Sequence, residues 1–262
     1  MTTLFSYRFL TREQIQELFG FKSIRRVNSR LRKLYDHCYL SRSFLPTIRG
    51  SAKAIYFLGP QSALIISEQL GLDIGLVQRK IKSLSKVKEF FLNHAMELND
   101  TRINICQAIN NHPETKLETW INDNDCEQTY QVIVNGKEII KKFRPDGYFR
   151  FWYQGKLTSF FLELDRSTMT LGRFKSKVRT YIEFSKLGFY QQRFGVKYFR
   201  VLVIAPSPNR ILNLKNTVEQ VTDRKFLFTT FNQVTSDNAL SPIWHRVGHE
   251  GLFSIISELI EK

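Results

Sequence analysis

Two short acidic stretches, Arg144-Pro145-Asp146-Gly147 and Glu163-Leu164-Asp165-Arg166, bracket a run of alternating apolar residues that breaks at Gln154-Gly155-Lys156. The run reads as a β-hairpin with strands over residues 147–153 and 157–164. Side chains alternate across a strand, so Glu163 and Asp165 share one face while Leu162 and Leu164 enter the opposite core. Asp146 opens the first strand, and hairpin pairing brings it beside Glu163. Three carboxylates then converge. Together they repel one another and raise their own pKa values, so the cluster requires a cation, either a hard metal such as Mg²⁺ or an arginine. Both remain open at this point. Mg²⁺ held by Asp146, Glu163 and Asp165 would orient water and stabilise charge developing on phosphate. Ion pairs with Arg166, Arg173 and Lys177 would instead be structural.

A basic helix follows the second acidic stretch. Over residues 168–188, Phe174, Val178, Tyr181 and Ile182 form an apolar side, and Arg173, Lys175, Lys177 and Arg179 a cationic one. Arg173 and Lys177 stand four apart and share a helix face. That face can meet the acidic strand, DNA phosphate or solvent. Further on, residues 198–205 read as a strand ended by Pro206 and Pro208, 212–221 as a helix, 226–230 as a strand and 251–261 as a last amphipathic helix. Before the acidic hairpin, Asn135-Gly136 is a two-residue turn signal between strands at 130–134 and 138–140. Residues 75–112 carry helical apolar spacing up to Pro113. Strands alternating with helices give an α/β (α+β) sheet domain that begins with a helix. The aromatic alternation of residues 148–153 fits sheet packing better than a base-stacking platform.

The amino-terminal third is different in charge. Residues 1–94 hold 16 Lys and Arg against 6 Asp and Glu, a net of +10 out of the chain's +15. Thr11 has the form of a helix N-cap, followed by Ile15, Leu18 and Phe19 at helical spacing and Gly20 as a stop. Ser23 then caps a helix whose stripe is Ile24, Val27, Leu31 and Leu34, with Arg25, Arg26, Arg30, Arg32 and Lys33 around the rest. Strands at 39–42 and 54–58 flank a basic, glycine-containing tip at 46–51. Helix, basic helix and hairpin is the order of a winged helix-turn-helix, which lays one helix in the major groove and grips flanking phosphate with the wing. Arg25, Arg26 and Arg30 are the candidate DNA contacts on the helix, and Arg49 and Lys53 on the wing, with Arg173 in the second half. A solvated cationic face is the competing reading.

Composition narrows the partner. A net charge of +15 and a pI near 9.8 favour a polyanion, because neutralising phosphates releases condensed counterions. No apolar run approaches the roughly 20 residues of a membrane span, and no signal-peptide pattern opens the chain, so a cytoplasmic protein without a membrane partner is expected. Cys38, Cys106 and Cys126 are an odd number without a CxxC, which fits incidental thiols better than a disulfide framework or zinc site. His245 and His249 stand four apart without an HExxH motif.

Pro145-Asp146 and Glu163-x-Asp165, in a helix, strands, helix and strand context, resemble the PD-(D/E)xK restriction-endonuclease-like fold. The departure is Asp165, where that superfamily carries lysine; Arg166, Arg173 or Lys177 would have to substitute. With the amino-terminal module, residues 11–205 resemble the replication-relaxation family of plasmids and mobile elements, the match being carried by the two acidic stretches and by Asn93-His94-Ala95-Met96-Glu97-Leu98-Asn99-Asp100. The resemblance implies a winged-helix domain over 1–74, a helical linker over 75–92 and a nuclease-like mixed-sheet domain over 93–262. It also implies a role in replication, DNA relaxation or transfer on double-stranded DNA, alongside other replication or transfer proteins or a second copy of the chain. Two activities follow. One is an Mg²⁺-dependent endonuclease or nickase with Asp146, Glu163, Asp165, Arg166 and Lys177 at its site. The other is a non-catalytic origin-binding initiator or regulator with a degenerate nuclease-like domain. A relaxase using one of the ten tyrosines is a third class, without a histidine pair to support it.

Overall fold

The cap read at Thr11 forms a reciprocal capping box: the Thr11 hydroxyl accepts from the Gln14 N–H (3.2 Å), and Gln14 Oε1 accepts from the Thr11 N–H (2.9 Å). It starts one helix of the first of two units into which the chain divides, Met1–Ile103 and Asn104–Lys262. The computed structural model describes residues 1–44, 53–134, 136–196 and 198–256. In the first unit the order is α1 (Thr2–Tyr7), β1 (Leu10–Thr11), α2 (Arg12–Leu18), α3 (Ile24–Asp36), β2 (Leu40–Phe44), β3 (Ala54–Leu58), α4 (Ser62–Leu70), α5 (Ile74–Leu84) and most of α6 (Glu89–Asn111). The strands form an antiparallel sheet in the order β1-β3-β2. Val27 and Leu31 of α3, Ile15 of α2, Leu40 and Leu58 of the hairpin, and Val77 and Ile81 of α5 share one core. The residues 46–51 expected to form the basic tip, including Arg49, lie outside the described residues.

The motif around Asn99 has a structural task in this unit. The Asn99 side-chain amide donates to the carbonyls of Tyr7 and Phe9, and Gln14 Nε2 donates to Met96 O (3.2 Å) and Asp100 Oδ1 (2.6 Å). These bonds tie α6 to the β1 turn. They give the two buried side-chain amides their hydrogen-bond partners.

In the second unit come β4 (Thr115–Asn122), α7 (Asp123–Cys126), β5 (Gln128–Val134), β6 (Lys137–Phe143), β7 (Gly147–Tyr153), β8 (Lys156–Leu164), α8 (Leu171–Lys186), α9 (Phe189–Phe194), β9 (Arg200–Ala205), α10 (Pro208–Glu219), β10 (Phe226–Thr230) and β11 (His245–Arg246). A mixed six-stranded sheet has the order β11-β10-β9-β8-β7-β4, and β5-β6 form a separate two-stranded ribbon. β8, β9 and β10 are parallel; the remaining pairs are antiparallel. One sheet face, with Tyr148, Phe161, Val201, Val203 and Phe228, packs beneath α8 and α10 through Phe174, Val178, Tyr181, Leu214 and Val218. The alternate residues Phe149, Phe151 and Phe160 stack on the other face. The aromatic alternation is thus sheet packing, as expected.

Two expectations are corrected here. Pro208 does not merely end a strand: it is the first residue of α10, a position where the N–H that proline lacks has no partner within the helix, and Ser207 caps that helix. The helix therefore starts four residues before the expected position. No helix forms over residues 251–256, where Phe253 instead bridges Trp244 and Ile255 is buried; residues 257–262 lie outside the described residues. His245 accordingly sits in β11 and shares no helix with His249.

Candidate functional site

β7 and β8 pair with Gly147 opposite Leu162, so the next step of the register sets Asp146 opposite Glu163 on the face that α8 covers. Asp146 extends the ladder in its own way: its N–H donates to Leu162 O (3.0 Å), and its Oδ2 accepts the Leu164 N–H (2.8 Å). Glu163 is buried. One of its oxygens is paired with Lys177 Nζ and the other accepts the Tyr181 hydroxyl, both partners coming from α8 one turn apart. Asp165 lies on the same face but belongs to a different helix. Arg210 of α10 grips it with Nε to Oδ1 and Nη2 to Oδ2, both 2.8 Å, and the Ser167 N–H adds a bond to Oδ1 (2.7 Å).

The expected meeting of three carboxylates therefore resolves into a pair, Asp146 and Glu163 with Lys177, and a separate Asp165–Arg210 ion pair. Among the described residues no group of three or more His, Cys, Asp or Glu side chains is arranged to hold a metal ion. Two carboxylates still suit Mg²⁺, which binds through one or two of them and fills its octahedron with water and phosphate oxygens. Asp165, gripped by Arg210 from a different helix, belongs to a separate ion pair.

Burial holds the Glu163 carboxyl above its ordinary value of 4.5, at about 7; Lys177 works against this and Asp146 with it. Burial also opposes the charge of Lys177, yet Glu163 and Asp146 outweigh it and hold the ammonium above the usual lysine value. The Tyr181 phenol is pushed up by burial and by Glu163, which suits a hydrogen-bond donor and not an attacking phenolate. For Glu163 the folded state keeps a proton that the unfolded chain releases, so this group makes stability fall as pH rises from about 4.5 to about 7. A carboxyl ¹³C resonance assigned to Glu163 is expected to titrate near neutrality. A midpoint among those of exposed glutamates would mean that Lys177 and Tyr181 outweigh burial.

Beside this pair opens a cleft of about 310 Å³, lined by Lys142, Phe143 and Arg144 of β6 and its following turn, and by Ser176, Lys177, Thr180 and Tyr181 of α8. Arg173 is exposed at the start of α8, and Arg166 is half-buried just beyond β8. In the first unit, Arg25, Arg26, Arg30, Arg32 and Lys33 are all exposed on α3, with only Val27 and Leu31 turned fully inward. Arg30 stacks on Phe21 at 5.2 Å, and Lys53 is exposed at the start of the β3 approach. Arg42 of β2, which sequence reading passed over, lies over Tyr35 at 4.3 Å, stacked beside exposed Phe44.

A family model for replication-relaxation proteins matches residues 1–198. The chain belongs to the replication-relaxation family. No curated protein and no solved structure matches it. Family membership points to a role in replication or relaxation of plasmid or mobile-element DNA. The matched span holds Asp146, Glu163, Asp165 and Lys177, but stops before Arg210. Among the described residues no helix is long and apolar enough to cross a membrane, and no disulfide forms.

The residue that sequence reasoning missed outright is Arg210. It lies 45 positions from Asp165, and no local spacing signals such a partner. Helical spacing puts Tyr181 on the apolar side of α8, where its ring does sit; its hydroxyl reaches past that side to Glu163.

Proposed function

We propose that this family member binds double-stranded DNA through α3 and the β2–β3 hairpin, and breaks a phosphodiester bond at Asp146, Glu163 and Lys177 with Mg²⁺. The observation that carries the second half is the Lys177 ammonium against the Glu163 carboxylate beside Asp146. The lysine that the strand lacks at Asp165 is supplied from α8, one helix away, so the set of two carboxylates and a lysine is complete. Asp146 and Glu163 would hold the ion, which when bound supplies positive charge to the phosphate and acidifies a water. The chain's own residues do the rest. Lys177 offers a fixed ammonium to the phosphate oxygens on which charge develops. Tyr181 fixes the orientation of Glu163, and Asp146 is fixed by the Leu164 N–H.

The DNA-binding half rests on five exposed cations along α3, of which, among the described residues, Arg32 alone has an ion-pair partner on the helix, Asp36 at 3.6 Å, together with the charge excess of the first third. The three-stranded sheet with its helices supports a winged-helix reading of this unit. A second reading, the non-catalytic initiator or regulator, draws on one observation: Glu163 and Asp165 have both oxygens satisfied within the protein, as structural ion pairs would.

Supercoiled plasmid incubated with the protein and Mg²⁺ or Mn²⁺ tests both. Nicked or linear product is expected from the wild type and not from Asp146→Asn or Glu163→Gln, while all three bind duplex with the same salt dependence. Arg25→Ala combined with Arg26→Ala is expected to weaken binding and to lower the salt slope by about one per lost phosphate contact. Equal product from wild type and carboxylate variants would refute the cleavage site. Binding without product from any of them would leave the non-catalytic reading.

A further inference from the structure

We propose that the cleft between β6 and α8 is a phosphate subsite that holds the backbone of the bound nucleic-acid strand next to the reacting phosphate, with Lys142 and Arg144 as its positioning residues. The inference rests on the proposed function for its neighbour, the Asp146–Glu163–Lys177 site, but not for its own chemistry. Three cations, Lys142, Arg144 and Lys177, line a space of about 310 Å³, at the small end of ligand pockets, which run roughly 300–1,000 Å³. The wall opposite β6 is kept low by Ser176 and Thr180. Their hydroxyls donate back to the carbonyls of Gly172 and Ser176, at 3.1 Å each, so the donors facing the cleft are the cations.

Lys142 and Arg144 are held in place from outside the cleft. Glu127 accepts from Lys142 Nζ at 2.6 Å and lies 3.6 Å from Arg144 Nε, Asn124 Oδ1 accepts from Arg144 Nη2 at 3.3 Å, and Asp123 Oδ2 lies 4.0 Å from the same Nη2. None of Glu127, Asn124 and Asp123 lines the cleft. Two carboxylates and an amide thus brace the two cations, and the Nη1 N–H groups of the Arg144 fork are left for a phosphate. Lys177 is shared: it closes one end of the cleft and touches Glu163. A phosphate here would therefore sit one step along the strand from a phosphate at the Glu163 carboxylate. A planar guanidinium and an ammonium on one side of a shallow slot suit a backbone better than a base, since neither the buried Phe143 nor Tyr181 presents a ring to stack on.

Lys142 and Arg144 are each more than half exposed in their side chains, so replacing them leaves the fold intact, which an unchanged melting curve would verify. The Lys142→Ala, Arg144→Ala double variant of the full chain is expected to raise KM for plasmid nicking about tenfold with kcat within about twofold, as loss of charge-assisted phosphate contacts does. Its salt slope for duplex binding should fall by about one to two. An unchanged KM, affinity and salt slope in a folded variant would overturn the subsite, even where Glu163→Gln abolishes nicking. If no variant nicks, a lost slope with lower affinity still supports the subsite while the cleavage reading fails. A deoxynucleoside monophosphate that binds the wild type more tightly than a duplex does would also overturn it, by assigning the cleft to free nucleotide.

Discussion

Arg210→Ala is expected to lower folding stability by about 3–5 kcal/mol, the largest loss of any single polar substitution in the second unit. Asp165 keeps only 4% of its side chain exposed, and Arg210 15%. The guanidinium fills both carboxylate oxygens and also donates from Nη2 to Met169 O at 2.6 Å. Alanine removes three donors at once and leaves a buried carboxylate with the Ser167 N–H alone. Taking one partner from such a pair is far more damaging than replacing both, because the remaining charge has neither water nor a counter-ion. One control follows. Asp165→Leu with Arg210→Met should recover most of the deficit, because it removes both charges together. Urea unfolding of the single and double variants reads it. A deficit below about 1 kcal/mol, typical of exposed pairs, would mean that water reaches Asp165.

The hairpin that positions the site was legible because two independent signals agree there: a run of strand-forming aromatic residues over 147–153, and a turn at Gln154-Gly155, both at positive φ. The cap at Thr11 was legible for an equally local reason, whereas the cap at Thr170 was not read and shortens α8 to Leu171–Lys186 from the expected 168–188. What sequence could not carry was partnership across the sheet. Glu163 and Asp165 share a face, as alternation requires, but which helix covers each is decided by the parallel crossovers that follow: α8 arrives over Glu163, and α10, entered through β9, arrives over Asp165. α4 escaped notice because Ser62–Leu70 has apolar residues nearly all round and no single stripe. The carboxyl-terminal stretch misled in the opposite way: Leu252, Phe253 and Ile255 have helical spacing, yet Phe253 is drawn into a bridge with Trp244, and tertiary pairing overrides local pattern.

Lys177→Met is expected to reduce metal-dependent nicking by about 10²–10³-fold, the range found when one preorganised charge stabiliser is removed from an active site, while duplex binding loses no more than about one unit of salt slope, the amount that a single phosphate contact carries. Methionine keeps an apolar stem of similar length but takes away the ammonium at Glu163. Lys177→Arg should restore little of the rate, because a planar fork cannot reproduce a compact point charge in a place bounded by Glu163, Tyr181 and β6. The effect on stability separates this residue from Arg210. Glu163 already has its carboxyl raised to about 7 by burial; without Lys177 it rises further and stays protonated near neutrality, still bonded to Tyr181. A neutral carboxyl is tolerated where a stranded Asp165 carboxylate is not. Lys177→Met should therefore melt close to the wild type at pH 6 and fall behind it as pH increases, since the unfolded chain then gains by ionising Glu163. Loss of nicking without loss of stability at pH 6 identifies the lysine with phosphate chemistry. The reverse pattern, full nicking in an unstable protein, would assign the Glu163–Lys177 pair to the core alone.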